Sequence, residues 1–347
     1  MNTQSCDIVI QGGGPVGLAC AAWILQKLPE AKLTLVDRNP SNDVDLKAGD
    51  GRGIALSHGS KLLLETISAW PKDYAEIHRV HVSQAGRFGR ALMTREELNQ
   101  SALGHIVRYH DIHLALRQAL RVIQEKSSRF QWLHVTDDTT QATIQAKCIV
   151  HAEGGLFKKQ DWVESGRDYG QSALVGLVEV EKAAPHQAWE RFTAEGPLAI
   201  LPSHYGHNIL NLVWCGSPES SQNRLQLSDT DFLASLQNEF GSRIGKFLKV
   251  QDRRLYELGL NYRKEIIKDN EVWIGNAAQT LHPVAGQGLN LGLRDSFLLA
   301  EKLSRVFAGS VEEQSPTRIH QALEEYAQSR KADRTATIGL TDFMARI

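Results

Sequence analysis

The sequence predicts an α/β fold, with a parallel sheet interrupted by a mostly antiparallel one and a helical region at the C-terminus. Three observations predict it. A glycine-rich turn, Gly12-Gly13-Gly14-Pro15-Val16-Gly17, stands between a short apolar run and an apolar helical run. A second strand–loop–helix stretch, VWIGNAAQTLHPVAGQGLNLGLRD, occupies 272–295 near the other end of the chain. Between these, from roughly 170 to 265, the chain breaks into short β-rich runs separated by turns, the texture of an antiparallel sheet.

The bulk numbers frame this reading. The 347 residues suffice for one large or two medium domains with a proper core. A composition of 42% hydrophobic and 23% charged residues is ordinary for a soluble globular protein, and a formal net charge of -1 gives no electrostatic case for a nucleic-acid partner. The four cysteines, Cys6, Cys20, Cys148 and Cys215, form no CxxC pair, and such sparse use fits a reducing compartment. The N-terminus runs straight into a strand, which argues against a signal peptide. No run reaches the ~20 apolar residues of a membrane span. The expectation is a cytoplasmic protein able to touch the inner face of a membrane. The 13 histidines form no HExxH or paired-His helix, so no metal site is expected.

Taken in order, Asp7-Ile8-Val9-Ile10 reads as a buried strand and Leu18 to about Leu28 as a helix. Lys32 to Val36 is a second strand, ending at Asp37 about 20 residues after Gly17. This is a Rossmann-like βαβ unit. Gly12 makes the tight turn, Gly14 lets the backbone approach a pyrophosphate, Gly17 allows close helix–sheet packing, and Asp37 can bind a ribose hydroxyl. Residues 39–51 are a polar loop. Gly51 to Ser57 lead into a helix capped by Ser57, with Leu62, Leu63 and Ile67 on its buried face. Arg52, on that approach, either binds phosphate or holds its loop.

Residues 77–93 read as strand, turn, strand about Ala85-Gly86-Arg87, and 111–126 as an amphipathic helix with Ile112, Leu116, Leu120 and Ile123 on one side. Strands follow near 131–136, 141–146 and at Cys148-Ile149-Val150. The antiparallel region has runs at Val175–Val180, Ala188–Phe192, Leu198–Leu201 and Ile209–Cys215, and then a helix from Thr230 to Phe240 capped by Ser228 or Asp229. The strand at Val272-Trp273-Ile274 returns to the first sheet, a helix starts near Leu289, and 317–343 is a long helical region.

The second glycine-rich site has the wrong spacing for another nicotinamide-binding unit. A chain that holds one dinucleotide at both its ends suggests FAD, with the adenine half at Gly12–Gly17 and the flavin half at Gly286-Gln287-Gly288. Backbone N–H groups there would stabilise negative charge on the reduced ring.

These segments, with Gly51–Ser57, His81-Val82-Ser83, Glu190-Arg191-Phe192-Thr193, Gly196-Pro197-Leu198-Ala199 and Gly275 to Asp295, resemble the flavin-dependent aromatic hydroxylases of the p-hydroxybenzoate hydroxylase fold. The chain looks most like the ring hydroxylases of ubiquinone biosynthesis. Asn276 and Gln279, where many members carry Asp and His, and Leu212-Val213-Trp214-Cys215 resemble the 2-octaprenyl-6-methoxyphenol hydroxylase subgroup.

The resemblance implies an FAD-dependent monooxygenase that hydroxylates a prenylated phenol with NADPH or NADH and O2, through a flavin hydroperoxide. It implies contact with a membrane surface or with partner enzymes that deliver the lipid. It assigns Gly12, Gly14, Gly17 and Asp37 to the ADP half, and Arg52 to phosphate or adenosine. Asn276, Pro283, Gly286, Gln287, Gly288, Leu289 and Asn290 would surround the flavin and ribityl chain. No residue stands out as a catalytic base; His282 is the candidate, with a structural role before Pro283 as the competing reading. The implied division is 1–170 with 266–310 as the FAD-binding domain, strands near 77–93 contributing to the substrate domain, 171–265 as that domain, and 311–347 as a C-terminal helical region, either truncated or naturally short beside the family's. Two departures stand out. The usual Ala-Asp-Gly is Ala152-Glu153-Gly154 here, and Phe157 takes the place of a Ser.

Overall fold

The structure, a computed structural model, describes residues 4–37, 51–87, 89–135, 144–154, 165–310, 312 and 314–346. A six-stranded sheet runs in the order β15 (Ile267–Lys268), β16 (Glu271–Trp273), β9 (Ile144–His151), β1 (Gln4–Gln11), β2 (Leu33–Asp37) and β8 (Phe130–His134). Its strands are parallel except for β15, which turns back at the edge. A parallel sheet is covered on both faces, so its strands are apolar throughout; β2, Leu-Thr-Leu-Val-Asp, is buried at every position.

Helix α1 (Pro15–Lys27) packs against both α3 (Tyr109–Lys126) and α6 (Gln287–Phe307). Every residue of α1 from Leu18 to Leu25 is buried, as expected of a helix enclosed between a sheet and two other helices. Trp23 is fully buried there, donates from Nε1 to Thr66 Oγ1 at 3.0 Å and meets Phe297 edge-on.

The second sheet has eight strands: β17 (Gln279–Thr280), β14 (Phe247–Tyr262), β10 (Ser165–Val180), β13 (Ile209–Gly216), β12 (Pro197–Pro202), β11 (Gln187–Phe192), β5 (Arg79–Gln84) and β6 (Arg90–Thr94). All its pairings are antiparallel except β11 with β5. One face packs Leu174, Leu198, Leu212 and Trp214 against Phe232, Leu236 and Phe240 of α5 (Asp229–Phe240). Ala173, Val175, Val213, Cys215 and Leu258 form a separate cluster on the other face. Three short antiparallel strands, β3 (Gly53–Ser57), β7 (Gly104–Arg108) and β4 (Ala75–Ile77), make a third sheet. Helices α2 (His58–Thr66), α4 (Pro218–Gln226) and α7 (Pro316–Ala345) complete the chain.

The α/β architecture is the one expected, with differences in particular elements. Residues 53–57 are a strand paired with β7, not simply the approach to a helix; Ser57 does cap α2, accepting from Ser60 N at 3.1 Å. Leu62 is 50% exposed, because the buried line of α2 runs through Ser60 and Leu64 to Ile67. The strands read near 141–146 and at 148–150 are one strand, β9. The expected loop at 39–51 and the stretch around Phe157 fall almost entirely outside the described residues. β10 begins ten residues before the apolar run that marks it in the sequence, at Ser165 rather than Val175. β14 carries no such run: Phe-Leu-Lys-Val-Gln-Asp-Arg-Arg-Leu-Tyr-Glu alternates apolar with charged residues, and only its pairing along β10 reveals it.

Candidate flavin site

Two helix N-termini meet at one cleft. At the first, β1 ends in a turn in which Gly12 takes φ +114°, and a Cβ there would lie 2.5 Å from Ala152 O at the end of β9. A Cβ on Gly17 would lie 2.0 Å from Gly12 O, so α1 starts hard against the turn. Gly14 has no atom within 4 Å of its Cβ position, which leaves the approach to α1 open. At the second, Gly286 takes φ +59° to start α6, a left-handed conformation that glycine adopts without strain.

Gly14, Pro15 and Val16 from the first terminus line the same cleft as Asn276, Pro283, Gly286, Gly288 and Leu289 from the second. Arg52 lines it as well. The opposite wall is the second sheet, through Ala173, Val175, Val213 and Leu258. The cavity volume is about 600 Å³, within the range of pockets that hold organic cofactors. Backbone N–H groups in the first turn of each helix have no partner within the helix, and the macrodipole adds positive potential. The donor set fits an elongated anion bearing phosphates at one end and an electron-rich ring at the other.

Five residues expected at the cofactor stand outside the cleft lining: Gly12, Gly17, Asp37, Gln287 and Asn290. The glycines shape the turn from behind. Asp37 is 4% exposed and curls beneath it: a Cβ on Gly13 would lie 2.0 Å from Asp37 Oδ2, and Arg117 Nη1 is 3.9 Å from the same oxygen. Asn290 is engaged within the protein. Its Oδ1 accepts from Ser57 N at 2.8 Å and Ser60 Oγ at 2.7 Å, and its Nδ2 donates to Ala55 O at 2.9 Å and Gly286 O at 2.8 Å. All its hydrogen-bonding capacity is used inside the protein, so it ties α6 to β3 and α2 rather than holding a ligand.

His282, the candidate base, has the surroundings of the structural reading. It is fully buried, Nδ1 accepts from Val284 N at 3.1 Å, and Nε2 donates to Gln171 Oε1 at 3.0 Å. Burial lowers its pKa to about 4, which keeps the ring neutral. With both nitrogens engaged it fixes the loop and offers no free base.

Gln279 also faces inward, donating to Asp295 Oδ2 and accepting from Arg334 Nε, both at 2.8 Å. At the departure Ala152-Glu153-Gly154, the Glu153 carboxylate lies 3.6 Å from His151 Nδ1, while Glu271 bonds Nε2 at 2.9 Å. Burial pushes His151 down, but the two carboxylates prevail and its pKa is raised. Glu76, His78 and His186 bring potential metal-ligating atoms within 4.8 Å of one another, but none of them lines the cleft and Arg95 Nη1 sits 3.2 Å from His78 Nε2.

Sequence reasoning missed the β14 contribution of Arg254, Tyr256 and Leu258 to the cleft. Their alternate spacing is a one-face signal, hidden by the charged residues around them. Tyr256 also holds Arg52, whose guanidinium lies 4.2 Å over its ring.

Comparison with known proteins agrees with this geometry. Residues 115–337 match the family described as FAD binding domain. The chain is 28% identical to the ubiquinone hydroxylase UbiL of Rhodospirillum rubrum, over 98% of this chain and 81% of that one. It is 25% identical to the human mitochondrial ubiquinone biosynthesis monooxygenase COQ6, over 98% of this chain and 85% of that one. Among solved structures, PqsL of Pseudomonas aeruginosa, a probable FAD-dependent monooxygenase, superposes with a TM-score of 0.75 at 14% identity, covering 99% of this chain and 96% of its own. That likeness is one of fold. The chain belongs to the FAD binding domain family and is a flavin-dependent monooxygenase with FAD as its cofactor.

Proposed function

We propose that this flavoprotein hydroxylates the aromatic ring of a prenylated phenol in ubiquinone biosynthesis, with NAD(P)H as reductant and O2 as oxidant. One observation carries the reading. The two glycine-rich helix starts line a single cleft whose far wall includes the apolar cluster of the second sheet, an arrangement that would set a flavin and an apolar ring opposite each other. The likeness to UbiL, COQ6 and the 3-demethoxyubiquinol 3-hydroxylase of Escherichia coli supports the substrate class.

Bound FAD supplies the oxygen transfer; the protein supplies position and surroundings. Gly12, Gly14 and Gly17 form the turn at the ADP half, with Asp37 at the ribose and Arg52 at phosphate or adenosine. Asn276, Pro283, Gly286, Gln287, Gly288 and Leu289 enclose the flavin and ribityl chain, and the α6 N-terminus favours negative charge on the reduced ring. Val175, Val213 and Leu258 hold the phenol ring and keep water from it. We assign 1–170 with 266–310 to the FAD-binding domain and 171–265, joined by the β5–β6 hairpin, to the substrate domain. Residues 311–347 form the C-terminal helical region.

No helix among the described residues is long and apolar enough to cross a membrane. We infer that a prenylated substrate reaches the cleft from a membrane surface that the protein touches peripherally, or is handed over by partner enzymes. Leu340 and Phe343 on α7, 56% and 58% exposed, support that contact. Flotation with lipid vesicles tests it; a protein left wholly in the soluble fraction would remove this part of the proposal.

Anaerobic mixing of the purified yellow protein with NADH or NADPH and a phenol tests the central reading. Bleaching of the flavin, then reoxidation by O2 with hydroxylated product, is expected. Bound FAD that never bleaches would favour a non-catalytic flavoprotein scaffold, the reading that Glu153 motivates. The mass of the intermediate that accumulates on gene deletion assigns the ring position and separates this step from a sibling hydroxylation.

A further inference from the structure

Among the described residues, the sheet face turned to the cleft carries one half-buried acid without a partner; Asp252, which lines the cleft, and Glu179 of β10 are exposed. Glu190 lies on β11, and its register neighbours are Ala199 on β12 and Val82 on β5. The same row continues through Val213 on β13 and Val175 on β10, and both of these line the cleft. Residues opposite one another across strands share a face. Its chain neighbours take the other face: Trp189 packs edge-on against Phe240, and Arg191 Nε donates to Glu239 O, both in α5. Ala199, between Glu190 and Val213, contributes only a methyl group. With strands about 4.8 Å apart, Glu190 and Val213 are separated by about 10 Å, a span that a glutamate side chain and one aromatic ring fill.

Among the described residues no hydrogen bond or ion pair reaches the Glu190 carboxyl. Burial pushes its pKa up to about 7. The other ionisable groups on this face, among the described residues, are Cys215 on β13, Arg254 and Tyr256 on β14, Asp252 at the cleft, and farther along Glu179 of β10 opposite Lys249 of β14. Cys215 is close enough for the acid to act on it electrostatically, and burial raises the thiol far enough to keep it neutral. His81 and Ser83 of β5 pair with Trp189 and Arg191, and so lie on the opposite face. Glu190 is half-buried and stands two strands from Val213 of the cleft lining; a carboxyl so enclosed and left unpaired points to a group that meets a ligand.

We propose that Glu190 accepts the proton of the phenolic hydroxyl of the substrate. This rests on the reading of the chain as a phenol hydroxylase. The phenolic O–H bond breaks, the proton joins a Glu190 carboxylate oxygen, and the electron pair stays on the phenolate oxygen. Nothing is oxidised or reduced in this step. The phenolate enriches the ortho and para ring carbons in electron density, as transfer of an electrophilic oxygen requires. The proton passes to solvent when product leaves.

The test is the pH profile of kcat/KM for hydroxylation of 2-prenylphenol by the FAD-loaded protein, with binding of the same phenol followed by flavin fluorescence. Wild type is expected to rise with pH up to a plateau above about 7, because the acid must be ionised to act. Glu190→Gln is expected to lose about 100-fold at pH 8, the scale of general-base catalysis. Its rising limb disappears, while affinity for the phenol changes less than threefold. Glu190→Asp recovers part of the rate together with the limb. A Glu190→Gln variant sharing the wild-type profile overturns the assignment alone. Wild type that binds FAD and 2-prenylphenol but forms no hydroxylated product overturns the hydroxylase reading and this step with it. Should Glu190→Gln lose its flavin, the wild-type and Glu190→Asp profiles decide: a wild type without a limb near 7 rules the proposal out.

Discussion

Val16 Cγ2 occupies the place that a side chain on Gly292 would need, since a Cβ built there would lie 2.7 Å from it. On the other side, a Cβ on Gly275 would lie 2.8 Å from Val16 Cγ1, and Ser296 Oγ donates to Val16 O at 3.0 Å. The second residue of α1 is thus wedged between the loop after β16 and the body of α6. This wedge sets the spacing of the two helix N-termini that face the cleft.

Gly292→Ala separates fold from site. Overpacking against Val16 costs about 1–3 kcal/mol, and the gain in helix propensity returns about 1. We expect a net loss of stability and a lower ratio of flavin absorbance to protein. Gly288→Ala is the contrast, because its Cβ position has no atom within 4 Å and the residue lines the cleft. That variant should keep the melting temperature of the FAD-free protein and bind FAD at least tenfold more weakly.

Asn290→Ala should destabilise the protein by about 3 kcal/mol in urea unfolding. It strands the Ser57 N–H and Ser60 hydroxyl at one end and two carbonyls at the other. Asn290→Asp should also destabilise, since a carboxylate cannot donate to Ala55 O and Gly286 O. If Asn290 instead held the cofactor directly, both variants would lose FAD while the FAD-free protein kept its urea midpoint.

The same residue shows how far the sequence could be read. The Gly12–Asp37 unit was legible because strand, glycines, helix, strand and acid stand in order over a short stretch, where local rules suffice. Asn290 and His282 sit in an equally recognisable loop, but their partners, Ser57, Ser60 and Gln171, lie more than 100 positions away. Nothing local distinguishes a polar residue turned to the ligand from one that braces the loop. β14 was hidden for a related reason: charged residues interrupt its apolar positions, and Asp252 and Arg254 among them stand on the cleft. Glu190 is significant for the groups that are not near it, which no motif records.

Stability should fall as pH drops from 6.5 toward 4. Burial lowers both His282 and His105 from 6.5 to about 4. Between those values the unfolded chain binds protons that the folded one refuses. Each residue's contribution is therefore fully present above 6.5 and lost as pH falls toward its folded pKa. The ceiling is about 3 kcal/mol per residue, at about 1.4 kcal/mol per pH unit. His151, with its pKa raised, works the other way and loses its contribution as pH rises through its folded value. Urea midpoints of wild type and His282→Gln, taken from pH 4 to 8, isolate one share: the difference between them should change with pH below 6.5 and be flat above it. A difference flat across the whole range would mean that His282 is not held neutral.

The last prediction concerns the charges beneath the second loop. Asp295 accepts from Arg330 Nε at 2.7 Å and from Gln279 Nε2 at 2.8 Å, while Gln279 Oε1 accepts from Arg334 Nε at 2.8 Å, and all four residues are buried. Burial raises the Asp295 carboxyl even against the pull of Arg330, so the ionised acid is held by its partners rather than by water. Asp295→Ala leaves the buried Arg330 guanidinium with Asp333 as its remaining counter-charge and the Gln279 amide without its acceptor, and should cost about 3 kcal/mol. Asp295→Leu combined with Arg330→Met removes both charges and should return to within about 2 kcal/mol of wild type. Because Gln279 follows Asn276 by three residues, the double variant should still bind FAD less tightly than wild type even where stability returns. A double variant with full stability and unchanged flavin affinity would mean that the network holds α7 to α6 without setting the loop that lines the cleft.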